Sequence, residues 1–506
     1  MVRPGSVLVV RPATSRAIGA FWRNLGHTMV ATHAMARGLD VDMADLSFDD
    51  VESGLSSDTK VAVFSLYIDD FSRGLEVAAQ LKRARPDIVT FVGGPHVTMV
   101  GDDIPGMADS FDHVAIGDCL PEAMALIEDA CFSRALPDRS TIRASSFDAR
   151  MDHLMPDYSI WSRDRYFPLY PVEFSRGCRQ RCPFCTDPVL RRGLAVNPVT
   201  KTLRTLENLV ATDDVAYVRF VDSSLTSLGH ELDTLLDAMI AANLPVSWSA
   251  YAYPHDITPY VAQRLAAAGC RAVFMGIETM AQGVRTGKHH TKRPNEIACS
   301  VRALQDQGIF VHGNFIIGLP GETAETVKQT LDGLDAVRFD SVGGGPFYLA
   351  PGSTFTQRPE RFGIEVLDPY WMRRAHENFY HPVPYFRTST LTQLEMANLT
   401  VDFRTQIQRS GLACWNLSDF VVLCWLSVGG DIATLKRLWV TPPADLARDR
   451  LAIVDVLRER NSGDSLTRQR ARNFVSSVQT VAAAERVRSH SPNQSHERPM
   501  EPRSDH

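Results

Sequence analysis

The 506-residue chain lacks several features that would each have pointed to a function. Basic residues are not in excess: 53 Lys and Arg stand against 59 Asp and Glu, a formal charge of -6, so the electrostatic footprint needed to hold a phosphate backbone is missing and nucleic acid is excluded as the main partner. Long apolar runs are missing too. The longest, Phe420 to Leu426, is far short of the roughly 20 residues that cross a bilayer, and Met1 to Val10 runs straight into a strand-like segment with no leader-like apolar stretch. A cytoplasmic protein without membrane attachment is expected. Nine cysteines, an odd number, do not make a disulfide framework. No repeat of solenoid period, phosphate loop or Ser-His-Asp constellation is legible.

What is present is strand and helix alternation. Val7–Val10, Val61–Ser65, Asp87–Gly94 and His113–Gly117 read as short apolar strands, and Gly74 to Arg85 carries Leu75, Val77, Ala78 and Leu81 at helical spacing. An open, doubly wound, parallel sheet follows, with its ligand at the carboxyl ends of the strands. A polar connector, residues 132–168, leads to six further strand candidates: Tyr170–Ser175, Ala216–Val221, Val246–Tyr253, Ala272–Ile277, Phe310–Ile317 and Ser341–Leu349. Six βα units suit a partial TIM-like barrel, whose chemistry sits at the strand C-termini. The expected α/β organisation is a Rossmann-like domain (1–131), the connector, a (βα)6 barrel (169–357), a helical C-terminal domain (358–460) and a disordered tail (461–506).

Three of the cysteines cluster. Cys178, Cys182 and Cys185 stand as C-x3-C-x2-C directly after the first barrel strand. Three thiolates from one loop can hold three corners of a four-iron four-sulfur cubane and leave the fourth iron open. A zinc site or three structural cysteines are the alternatives, but zinc generally needs a fourth protein ligand and no Cys or His follows in this loop.

The segment F-S-R-G-C-R-Q-R-C-P-F-C, Phe174 to Cys185, resembles the signature of the radical S-adenosylmethionine superfamily. The resemblance implies a 4Fe-4S cluster on Cys178, Cys182 and Cys185, S-adenosylmethionine on its open iron, and a 5′-deoxyadenosyl radical as product of their reaction, with Phe184 beside the adenine. V-D-S-S-L-T (221–226) is similar to the family's acidic segment near the methionine amine, which makes Asp222 the carboxylate. M-G-I-E-T (275–279) resembles the fourth-strand motif, with Glu278 toward ribose or amine. G-N-F-I-I-G-L-P-G-E (313–322) is similar to the fifth-strand motif, with Ile316 and Gly318 toward adenine, and Y-L-A-P-G-S (348–353) to the sixth-strand ending that carries Leu349. The third strand departs from the pattern: it has no Arg, and Tyr251 or Tyr253 occupies that place, which leaves the methionine carboxylate without an obvious guanidinium.

Ahead of the barrel, Ser65-Leu66-Tyr67, Gly93-Gly94-Pro95-His96 and Gly117-Asp118 resemble the cobalamin-binding turns of cobalamin-dependent radical S-adenosylmethionine enzymes. By that resemblance these residues cradle the corrin and its nucleotide tail; His96 is a corrin or nucleotide contact, a loop histidine satisfied within the protein, or neither. The stretch from Arg11 to Gly19 holds no histidine, so cobalamin without a histidine axial ligand is expected. The two cofactors together imply methylation of a poorly reactive, usually sp3, carbon of a small molecule, a specialised metabolite by family analogy, with an external flavodoxin- or ferredoxin-type electron donor. A non-methylating cyclase, ring-contracting or dehydrogenating enzyme, and more distantly a sensor, are the rivals. Trp371, Tyr380, Tyr385, Trp415 and Trp425 are candidates to close one side of the substrate pocket, or simply core residues.

Overall fold

A computed structural model describes residues 5–12, 22–143, 154–284, 293–368 and 383–412, apart from short interruptions at 48, 162–165, 167, 192, 213–216 and 411, with isolated positions up to 433. The loop at 13–19, the segment 434–438, the tail 461–506 and Trp371, Tyr380, Trp415 and Trp425 lie outside the described residues.

The N-terminal sheet has six parallel strands: β1 (Ser6–Arg11), β2 (Val41–Asp45), β3 (Thr59–Ser65), β4 (Val89–Gly93), β5 (His113–Ile116) and β6 (Ser140–Arg143), in the order β2-β1-β3-β4-β5-β6. All six residues of β1 are buried, since helices cover both sheet faces, and this is why it reads as an unbroken apolar run rather than an alternating one. The helices Leu25–Met35 and Leu120–Cys131 cover one face. Phe71–Ala84 covers the other with Phe71, Val77, Ala78 and Leu81. Two strands escape the sequence pattern. V-D-M-A-D (β2) is half polar because it lies near the sheet edge, and S-T-I-R (β6), which the sequence reading places in the connector, is the opposite edge strand paired with β5.

The second sheet is also six-stranded and parallel, in strictly sequential order: β7 (Leu169–Val172), β8 (Tyr217–Phe220), β9 (Ser247–Ala252), β10 (Cys270–Glu278), β11 (Phe310–Ile317) and β12 (Ser341–Pro346). Their outward residues, among them Val218, Phe220, Trp248, Val273, Met275 and Val311, form one core with the crossover helices. The inward face is polar. Arg219 lies 4.8 Å from the Tyr251 ring centroid and 5.6 Å from that of Phe274. His312 Nδ1 bonds Ser341 Oγ at 2.6 Å, and its Nε2 bonds Asn314 Oδ1 at 3.1 Å. A sequential parallel sheet that presents polar side chains to its concave side is an open barrel whose function is at the strand ends.

Beyond the barrel, the segment expected to be helical opens with a short ribbon. Ile364–Val366 and Phe386–Thr388 pair as a two-stranded antiparallel ribbon before the helix Gln393–Arg409, because Phe386 and Ile364 are drawn into the apolar cluster over the barrel mouth.

Candidate functional site

The cysteine loop is built by its neighbours. Gly177 has φ +93°, and a Cβ there would stand 1.9 Å from the Gly193 carbonyl oxygen, so the residue before Cys178 must be glycine. Ser175–Arg176 pairs antiparallel with Ala195–Val196 and closes the loop on itself. Asp222, fully buried at the end of β8, accepts from Phe174 N–H at 3.1 Å and from Ser175 N–H and Oγ–H at 2.5 Å each. Burial nevertheless pushes its carboxyl up to about 7. Its oxygens are therefore committed to the turn that launches the loop.

Burial raises the Cys178 thiol, lifts Cys185 to about 11 and raises Cys182 further, and the three sulfurs repel one another's ionisation. A group that accepts thiolates strongly is needed to hold them deprotonated, as iron does. Gln180 N–H points at Cys178 Sγ and Asp187 N–H at Cys185 Sγ, both at 3.4 Å. Among the described residues, no three His, Cys, Asp or Glu groups gather tightly enough for a single metal ion. Three thiolates from one loop suit a cluster, which takes one thiolate per iron, better than one zinc.

Above the loop, Phe184, Ile316 and Leu349 meet in one apolar cluster with Leu319 and Phe347, a surface suited to a flat heterocycle. Tyr385 reaches the same place: its hydroxyl donates to the Leu349 carbonyl at 2.6 Å, which pins the sixth-strand ending. Glu278 sits at φ +63°, a conformation that costs a non-glycine residue on the order of 1–3 kcal/mol and is typically retained at working sites. Its carboxyl has no hydrogen-bond partner among the described residues, and burial lifts it to about 8. Oε1 lies 2.6 Å from where a Gly276 Cβ would be, so the bare Gly276 makes room for it. Gly318, at φ +98°, donates its N–H to Glu322 Oε2. A stranded carboxylate beside an apolar shelf fits a ligand that brings a cation and an aromatic base, as S-adenosylmethionine does.

Arg219 was not singled out by the sequence pattern. It stands on β8, inside the barrel, against Tyr251, close to where the arginine absent from the third strand would be sought. The legible signal is an arginine at an inward position of the otherwise apolar strand Y-V-R-F.

Facing the loop, the carboxyl ends of β3, β4 and β5 open onto a cleft of about 430 Å3. Ser65, Tyr67, Gly93, Gly94, Pro95, Gly117 and Asp118 line one wall; Gly177, Asp187, Arg191 and Ser223 from the barrel line the other. Between the sheet and its two covering helices the cleft continues as an apolar slot past Val30, Val63, Phe91, Met124 and Ile127. Gly94 has φ +104°, and a Cβ there would be 2.5 Å and 2.6 Å from the Leu66 carbonyl oxygen and amide nitrogen. A wide cleft walled by turns and continued by an apolar slot fits a corrin with its aromatic tail.

Two expected contacts do not reach this cleft. Leu66 is fully buried with its methyls toward Gly74, and His96 is fully buried against Phe71, ring centroids 4.6 Å apart. Both turn into the sheet core, His96 because the tight Gly93-Gly94 turn points the glycines and Pro95 outward and the next helical residues inward. Asp118 lines the cleft but is engaged by Arg176, whose guanidinium bonds Asp118 Oδ2 at 2.6 Å and Glu173 Oε2 at 2.7 Å. Arg176 lies two residues before Cys178, so this pair ties the corrin-side turn to the cluster loop.

A cysteine loop on a six-stranded open barrel, facing a cleft at the carboxyl ends of a doubly wound sheet, defines a cobalamin-dependent radical S-adenosylmethionine enzyme, and the chain belongs to that family. Residues 172–334 match the radical SAM superfamily and residues 13–118 the B12 binding domain. Its cofactors are accordingly a 4Fe-4S cluster, S-adenosylmethionine and cobalamin. The chain is 26% identical over 283 residues to the anaerobic magnesium-protoporphyrin IX monomethyl ester cyclase of Rubrivivax gelatinosus, covering 51% of this chain and 50% of the relative. It is 23% identical over 359 residues to an uncharacterized methyltransferase of Pyrococcus horikoshii, covering 64% and 76%. The chain spans about half the length of the first of these relatives and of the ribosomal protein uS12 methylthiotransferases it also matches. In fold it is similar to the radical S-adenosylmethionine methyltransferase TsrM of Kitasatospora setae, with TM-score 0.62, 16% identity and coverage of 95% and 100%. The cobalamin-dependent enzyme OxsB has the same fold, with TM-score 0.59, 12% identity and coverage of 96% and 81%. No described helix is long and apolar enough to cross a membrane.

Proposed function

We propose that this enzyme transfers a methyl group to an unactivated, sp3 carbon of a small-molecule specialised metabolite. The observation that carries this reading is the shared cleft: Gly177, Asp187 and Ser223, which flank the cysteines, and the corrin-side turns line a single space, so a substrate there would lie between the two halves. When bound, the cluster and S-adenosylmethionine supply a hydrogen-abstracting radical and cobalamin supplies a methyl group. The protein's part is to hold these at fixed separation. Cys178, Cys182 and Cys185 bind the cluster; Phe184, Ile316, Gly318 and Leu349 shelve the adenine; Glu278 takes the ribose or amine; Asp222 holds the loop in register and Tyr251 orders the inner wall with Arg219. On the corrin side Ser65, Tyr67, Gly93, Gly94, Pro95, Gly117 and Asp118 bring backbone groups and small side chains to the ligand. The apolar cluster of Phe347, Phe355, Tyr385 and Phe386 keeps water from the mouth.

The test is mass analysis of the product formed from methyl-labelled S-adenosylmethionine by reconstituted, reduced holoenzyme. A product carrying the label and one added methyl is expected. A product altered by cyclisation or loss of hydrogen, with no label, would remove the methyltransferase reading and leave the family assignment standing.

A further inference from the structure

Arg176 stands shortly ahead of Cys178 and reaches from the barrel to the corrin-side wall. Its Nε and Nη2 donate to Glu173 Oε2 at 3.1 Å and 2.7 Å, and its Nη1 donates to Asp118 Oδ2 at 2.6 Å. All three residues line the cleft. The Glu173 and Arg176 side chains are mostly buried, 14% and 18% exposed, whereas that of Asp118 is 37% exposed. The other end of this bridge is firmly set. Arg176 pairs with Ala195 in the short antiparallel ribbon, and Ser175 beside it is held by Asp222. Gly177, which separates Arg176 from Cys178, has no room for a Cβ against the Gly193 carbonyl. The position of the guanidinium and the course of the cysteine loop are thus set together.

We infer that Arg176 is a positioning residue that makes the two cofactor sites interdependent, so that the chain holds cobalamin more tightly when its cluster is in place. This role rests on the family's cofactors and is independent of what the enzyme makes. A ligand the size of a corrin displaces the water of the cleft, and with it the water on Asp118. A carboxylate stripped of water costs free energy unless a cation and its hydrogen bonds replace the loss. Arg176 supplies both when the strand behind it is set, and that strand is set when the three cysteines that follow are gathered on one group. Cluster-loaded and cluster-free chains thereby differ in what they offer the corrin-side turn, which is the differential contact that coupling between two sites requires. By linkage the factor is reciprocal: cobalamin steadies the cluster as much as the cluster steadies cobalamin.

The experiment is equilibrium dialysis of hydroxocobalamin against the full-length chain, once with its cluster reconstituted and once with the iron removed by a chelator. The cluster-loaded form should bind about fivefold or more tightly than the cluster-free form, at the lower end of couplings between sites. Arg176→Gln and Asp118→Asn should each bring that ratio close to one, and the double variant should add nothing further, because both cut the same bridge. Arg176→Lys, a cation without the two-armed fork, should fall between. Iron and sulfide are counted in every sample; should Arg176→Gln fail to load its cluster, Asp118→Asn, which leaves Arg176 on Glu173, decides alone. A wild-type ratio of one overturns the inference. So does a ratio that survives in the variants, even with both affinities lowered: Arg176 would then be structural, with the coupling carried by the packing of Asp187–Leu190 against Pro95–Val100. The methyltransferase reading fails separately, on product mass.

Discussion

The N-terminal sheet and the barrel present their strand ends to one cleft and furnish those ends differently. The sheet offers turns: Gly93-Gly94, Gly117 and Ser65 bring backbone to the surface, and the neighbouring His96 is packed away against Phe71. The barrel offers titratable chemistry: three half-buried thiols, Glu278 without a hydrogen-bond partner among the described residues, and Asp222 and Glu322 with carboxyls lifted by burial. Structural carboxylates look different. Asp112, on the sheet but away from the cleft, is also burdened by burial, yet Thr90 N–H and Lys82 outweigh this and hold it below its ordinary value. A large ligand dotted with amides is met by shape, a small cationic one on a metal by charge, and the groups whose protonation burial favours mark which half performs the latter task.

The comparison breaks most visibly at the thiols. Replacing Cys178, Cys182 or Cys185 by Ala should abolish 5′-deoxyadenosine formation under reducing conditions while cobalamin is still retained; cleavage at wild-type rates would end the cluster assignment. Gly94→Ala should do the reverse. It forces a side chain into a backbone conformation open essentially to glycine, at about 1–3 kcal/mol, and drives the new methyl into Leu66. Cobalamin should bind roughly tenfold or more weakly by equilibrium dialysis, with iron and sulfide content unchanged. If instead iron is lost and cobalamin kept, the two halves do not divide their work in this way. Asp222→Asn sharpens the barrel side: one of its three accepted hydrogen bonds must fail, so a loss of about 1–3 kcal/mol is expected, seen as a lower unfolding midpoint and easier loss of iron on dialysis. An unaltered iron content would show that the turn at Phe174 and Ser175 does not depend on it.

Much of this was legible in the chain and some was not, for physical reasons. Strands buried on both faces declare themselves as apolar runs, so β1, β3 and β4 are readable; the edge strands β2 and β6 bury only part of their surface and look like polar loop. The spacing of three cysteines carries its chemistry locally, so the cluster loop needs no tertiary information. Which way a side chain leaves a turn does need it: Leu66 and His96 lie in the turn segments, yet their side chains pack into the sheet core rather than line the cleft. Arg219 is illegible for the opposite reason. It belongs to no motif, and its neighbour Tyr251 comes from the next strand. Asp222 is in its motif, but that its oxygens would be spent on Phe174 and Ser175 follows only from the folding of β7 beside β8.

The gentlest probe of the comparison is Glu322, buried just after the fifth barrel strand, with no partner for Oε1 among the described residues and Oε2 accepting from Gly318. Burial raises its carboxyl from 4.5 to about 7, against the smaller opposing effect of the Gly318 and Leu319 amides. The folded chain therefore binds this proton more tightly than the unfolded chain does. Its contribution to stability is full below about pH 4.5, declines as the pH rises, and is gone above about pH 7. Glu322→Gln carries the same shape without a charge and contributes no such slope. The difference in unfolding midpoint, variant minus wild type, should accordingly grow in the variant's favour from pH 4.5 toward 7 and then level off, by a few degrees at most in a chain of this size. Asp112→Asn should show the opposite sign, costing stability at neutral pH and less as Asp112 protonates in acid, since that carboxylate is stabilised in the fold. Parallel midpoint profiles for Glu322→Gln and wild type would mean that the barrel carboxylate finds a partner in solution, and the contrast between stranded and partnered acids would then rest on Glu278 alone.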